Sequence, residues 1–94
     1  MPNQETAVLV SIRGTVQGVN YRAWTVRQAV AIGLRGWVRN EPDGSVRALI
    51  GGSGADVATM LDLFWIGPSS ARVTGVISEA AEAADLPPDF RQIR

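Results

Sequence analysis

Along this chain the spacing of apolar side chains alternates between a period of two and a period of three to four, and each change of period marks a new element. From Ala7 to Arg13, Val8, Val10 and Ile12 face one way and Leu9, Ser11 and Arg13 the other, which predicts a half-buried strand. Gly14 to Asn20 holds two glycines and reads as a loop. A helix is expected over Tyr21 to Ile32, with Ala23, Val26, Ala29 and Val30 as its apolar stripe and Gly33 as a left-handed cap. Leu34 to Asn40 alternates again, with Leu34, Gly36 and Val38 opposed to Arg35, Trp37 and Arg39. Glu41-Pro42-Asp43-Gly44 is turn chemistry leading to a partner strand over Ser45 to Ile50. Ser53, with Asp56 three residues on, starts a second helix whose Val57, Met60, Leu61 and Phe64 lie on one face. Gly67-Pro68 ends it. Ala71 to Ser78 is a fourth strand interrupted by Gly75; Glu79 to Asp85 is a connection, and Phe90 to Arg94 suits a short fifth strand.

The order β-α-β-β-α-β predicts an α+β, ferredoxin-like sandwich, an antiparallel sheet with two helices on one face, as a single domain over residues 1–94. In that topology the first two long strands run the same way on either side of the third. The loop after strand one and the end of strand two therefore share an edge, with strand ends roughly 10 Å apart. Asn40 continues the parity of Leu34, Gly36 and Val38, so it emerges on the helix-covered side, where the first helix begins.

Composition narrows the chemistry. Nine acidic and nine basic residues cancel, so no overall field draws in nucleic acid or an anionic membrane. All nine basic residues are arginine; with no lysine there is no Schiff base and no Walker-type phosphate lysine. Cysteine and histidine are absent, which removes thiolate nucleophiles, disulfides, imidazole-based zinc sites and histidine-based triads. No leader pattern opens the chain and no apolar run is long enough to span a membrane, so a cytoplasmic protein is expected.

Gly14-Thr15-Val16-Gln17-Gly18-Val19-Asn20-Tyr21-Arg22 runs from a strand into a helix. Glycines there let successive N–H groups turn inward as an anion nest, and the helix start adds free N–H groups and a partial positive charge. Arg22 can add a planar fork suited to phosphate oxygens. The plain alternatives are a loop that needs glycine only to turn, with Arg22 solvated, and an Asn40 that bonds its own backbone.

The same stretch resembles the first signature of the acylphosphatase family, G-x-V-Q-G-V-x-(F/Y)-R. Gly36-Trp37-Val38-Arg39-Asn40, followed by Gly44, Val46 and Gly51, is similar to the second. The resemblance covers nearly the whole chain, including Gly67-Pro68 and Ala71-Arg72-Val73. It departs at Thr15, where a basic residue is common, at the position of Trp65, and over the weakly matching 79–94 tail. It implies hydrolysis of the carboxyl–phosphate bond of acyl phosphates. Arg22 and the backbone of Thr15, Val16, Gln17, Gly18, Val19 and Asn20 would bind the phosphoryl group, and Asn40 would position the attacking water. No metal or other cofactor is implied. The expected partner is a small-molecule acyl phosphate met by a monomer, with neither nucleic acid nor membrane involved.

Such a reaction suits a chain without His, Cys or Lys. The leaving group is a carboxylate, stable near neutral pH, so no proton donor is needed to expel it. Two other classes remain. An RNA-binding ferredoxin-like domain would use the open sheet face, where Arg35, Trp37, Arg39 and Arg47 lie, but Leu9, Ser11 and Leu49 occupy its centre in place of stacking aromatics. A non-catalytic phosphate or acyl-phosphate binding module would share the cradle without needing the amide of Asn40.

Overall fold

The computed structural model describes residues 5–94; residues 1–4 of the polar opening segment lie outside it. The elements follow the order β1 (Thr6–Thr15), α1 (Tyr21–Ile32), β2 (Arg35–Asn40), β3 (Val46–Gly52), α2 (Gly54–Ile66), β4 (Arg72–Ala80), a short 3-10 turn at Ala83–Asp85 and β5 (Phe90–Gln92). They build one sheet in the order β4-β1-β3-β2-β5. β1 and β2 both pair antiparallel with β3, so they run parallel to one another. Their ends meet at the edge expected.

Both helices cover one face. Val10, Ile12, Val38, Val46, Ala48 and Ile50 of the sheet are fully buried there against Val57, Met60 and Phe64 of α2. α2 carries its expected stripe, and the Ser53 hydroxyl accepts from the Asp56 N–H at 3.1 Å to cap it. Trp65 falls off that stripe and is 53% exposed, so it is not a packing residue. The face of α1 differs from the one expected. Tyr21, Thr25 and Ala29 are buried, whereas Val30 is 61% exposed. Thr25 tolerates burial because its hydroxyl donates to the Tyr21 carbonyl at 2.9 Å.

The sheet is mixed, which corrects the antiparallel expectation: β5 pairs parallel with β2, Gly36 beside Phe90 and Val38 beside Gln92. β4 and β5 are the two opposite edges, so the chain between them must cross the width of the sheet. Residues 81–89 make that crossing. They pass over the open face, where Leu86 packs with Ala7 and Leu49 in a second small cluster. Gly51 leaves room for Leu86, since a Cβ there would collide with its side chain. No helix among the described residues is long and apolar enough to cross a membrane.

Gly36 is the tightest point in this arrangement. Its φ is +146°, and a Cβ would collide with the Leu49 carbonyl oxygen on β3. Gly36→Ala is expected to cost about 3 kcal/mol through backbone strain and overpacking. For a domain of this size that corresponds to a fall in Tm of about 12 °C or more, read by thermal melting. An unchanged Tm would mean that β2 can slide without consequence.

Candidate active site

The loop from β1 to α1 is shorter than its glycines suggest, because β1 continues to Thr15 and pairs Gly14 with Val73 and Thr15 with Arg72 of β4. What remains turns sharply through two left-handed residues, Gly18 at φ 76° and Asn20 at φ 68°. Left-handed positions alternating with ordinary ones aim neighbouring N–H groups to one side, the geometry of an anion nest. Asn20 is the N-cap of α1, yet its side chain makes no capping bond and the first turn holds no acidic residue. The first intrahelical bond runs from the Trp24 N–H to the Asn20 carbonyl. The N–H groups before it, and the positive end of the helix, are left free for a ligand. α2 is the contrast: Ser53 and Asp56 already complement its positive end.

Tyr21 anchors this helix start. Its hydroxyl donates to the Phe64 carbonyl at 2.7 Å, and its ring stacks on Phe64 at 6.3 Å and tilts against Trp24 at 5.3 Å. Burial holds the hydroxyl protonated well beyond the ordinary tyrosine range. One position on, Arg22 is half-buried and makes no hydrogen bond or ion pair among the described residues. The arginines of β2, by contrast, are engaged. Arg35 donates to Glu5 and to the Pro87 carbonyl, while Arg39 sits 4.6 Å over Trp37 and bonds Glu41 at 2.6 Å. That pair draws the Glu41 carboxylate to the open face, away from the site, as strand alternation requires.

Asn40 ends β2 opposite Val46. Its Oδ1 is buried and has no hydrogen-bond partner among the described residues. A buried acceptor left unpaired costs about 1–3 kcal/mol, so it calls for an explanation. The turn beyond it is closed by backbone bonds and by Asp43, which accepts from the Ser45 hydroxyl at 2.6 Å and the Ser45 N–H at 2.9 Å. Those two bonds, the hydroxyl foremost, hold the Asp43 carboxyl below its usual range.

A cavity of about 230 Å³ lies between these parts, lined by Val16, Gly18, Asn20, Tyr21, Arg22, Ala23, Asn40 and Gln92. Of the residues expected at the site, Val16, Gly18, Asn20, Arg22 and Asn40 come together here. Thr15, Gln17 and Val19 do not line the cavity; Thr15 belongs to the strand and Gln17 points elsewhere. Gln92 was not foreseen. It is delivered by β5, on the same face as the buried Phe90, and only the two-residue alternation of a barely marked strand could have revealed it. No cluster of three or more acidic side chains with metal-holding geometry occurs among the described residues.

Comparison with known proteins gives the chain a family. The acylphosphatase family model matches residues 8–92. An acylphosphatase from Rhizobium meliloti is 52% identical over 94 residues, spanning 100% of this chain and 99% of that protein. One from Bradyrhizobium diazoefficiens is 57% identical over 77 residues, 82% of this chain and 78% of its own length. The solved structure of an acylphosphatase from Coxiella burnetii superposes with a TM-score of 0.90 at 33% identity, covering 97% of this chain and 94% of that one. The family match takes in the loop, α1 and the end of β2 that together frame the cavity, and the chain belongs to the acylphosphatase family.

Proposed function

We propose that this chain hydrolyses acyl phosphates by holding the phosphoryl group on Arg22 and the free N–H groups around Val16 to Arg22, while Asn40 orients the attacking water. The observation that supports this reading is the meeting, in one cavity, of an arginine and a buried amide oxygen, both without a partner among the described residues, and an uncapped helix start. The arginine and the helix start suit an anion, with the guanidinium gripping two oxygens at once. The amide oxygen suits a water, whose O–H can donate to Oδ1 and so aim its lone pair at phosphorus.

The chemistry balances with these groups alone. A bond forms from water oxygen to phosphorus as the bond from phosphorus to the acyl oxygen breaks, and the carboxylate departs with the electron pair. The water's proton passes to a phosphoryl oxygen of the substrate, yielding inorganic phosphate. Positioning and charge stabilisation supply most of the rate in phosphoryl transfer, and both are built into this cavity. The enzyme works as a monomer in the cytoplasm in this reading, on a small-molecule substrate.

Turnover of acetyl phosphate and carbamoyl phosphate, with p-nitrophenyl phosphate as control and excess EDTA throughout, tests the proposal. Both acyl phosphates are expected to be hydrolysed at undiminished rate in EDTA, the monoester to be spared, and inorganic phosphate to inhibit competitively. Loss of activity in EDTA with recovery on adding a divalent cation would overturn the mechanism. Phosphate binding without any turnover would reduce the chain to a binding module.

A further inference from the structure

Gln17 lies in the middle of the loop that cradles the anion, yet its side chain turns away from the cavity. The amide reaches across to the turn that follows Asn40. Nε2 donates one hydrogen to the Glu41 carbonyl at 2.8 Å and the other to the Ser45 carbonyl at 2.8 Å. The same two carbonyls close the turn: the Glu41 N–H donates to Ser45 at 2.9 Å, and the Gly44 N–H to Glu41 at 3.1 Å. Each carbonyl thereby uses both lone pairs. One side chain from the first loop ties both limbs of the turn at their base.

Asn40 is joined covalently to Glu41, at the point where this tie is made. Its own Oδ1 has no partner among the described residues, so no hydrogen bond to that oxygen places the amide, and its backbone does. A misplacement of about 1 Å in a group that orients a reactant can cost about 10²-fold in rate. The geometry points to Gln17 as a positioning residue that fixes the separation of the phosphoryl cradle from Asn40. This rests on the reading of Asn40 as the group that orients water. Glutamine suits the task because it alone among the uncharged side chains of this length offers two donors from one nitrogen. Methionine fills similar space without a donor, and a glutamate carboxylate would set charge against two carbonyl oxygens.

The test compares Gln17→Met and Gln17→Glu with the unmodified protein in acetyl phosphate turnover, inhibition by inorganic phosphate and thermal melting. Gln17→Met is expected to lower kcat about 10- to 100-fold while the phosphate inhibition constant stays within about threefold. Gln17→Glu adds a pH signature. Only the protonated carboxyl has a donor, and the two carbonyls raise its pKa above the ordinary value of about 4.3. Its kcat relative to the unmodified protein should therefore climb as pH falls from 8 to 5. A folded Gln17→Met with unchanged kcat overturns the inference. So does a parallel loss of kcat and phosphate affinity, which would assign the side chain to the cradle. Should Gln17→Met melt below the assay temperature, Gln17→Asn, with both donors on a side chain one methylene shorter, carries the same comparison. If the unmodified protein hydrolyses no acyl phosphate, the functional reading fails, and the inference is then decided by NMR. The Asn40 side-chain amide should shift and broaden in Gln17→Met while the Arg22 response to phosphate persists; an unmoved Asn40 resonance refutes it.

Discussion

Arg22→Lys is expected to lower kcat/KM for acyl phosphates by about 10²- to 10³-fold, the loss typical of removing one well-placed donor from a charged transition state. Charge is retained, so the loss would come from shape. A guanidinium presents a rigid planar fork to two oxygens; an ammonium is a compact point charge on a flexible stem. The fold should be indifferent to the change. Arg22 has no partner among the described residues, and the start of α1 is held by Tyr21 on Phe64. Steady-state kinetics with phosphate calorimetry and melting separate the possibilities. Near-normal turnover in the lysine variant would mean that Arg22 acts only by long-range attraction.

Asn40→Ala should show the complementary pattern. Here kcat is expected to fall about 10²-fold or more, with phosphate affinity nearly unchanged, because a group that orients the nucleophile contributes on the way to the transition state and not to ground-state binding. Stability offers a second readout. Oδ1 has no protein partner among the described residues, so its removal breaks no intramolecular hydrogen bond of that atom, and the inactive variant should melt close to the unmodified protein. A folded, nearly fully active variant would make Asn40 a turn residue. One that is folded but blind to phosphate would move Asn40 into the anion site.

Much of this architecture can be read from residue spacing because most of its elements face one core. β1, β2 and α2 bury the side chains that their periods single out, and Asn40 reaches the cavity by simple parity from Val38. The misreadings have distinct causes. In α1 the buried stripe runs through Tyr21 and Thr25, whose hydroxyls look polar in sequence and are satisfied only by Phe64 and by the helix itself. β5 has three residues, too few for a period, and its parallel partner β2 lies about fifty residues back in sequence. The loop that borders the cavity could be located, but not which of its side chains turn inward. Gln17 illustrates why: its partners lie 24 and 28 positions away. No local rule points to them.

The residues around the cavity also fix how it meets changes in acidity. Arg22 brings the one charged side chain of the lining. Tyr21 is held protonated, and the remaining side chains, from Val16 to Gln92, carry no ionisable group. The lining thus holds no carboxylate, imidazole or thiol. A phosphate monoanion and dianion interconvert near pH 6, so it is the ligand that changes as the solution is titrated. Under the proposed function, the binding profile against pH follows the proton on phosphate.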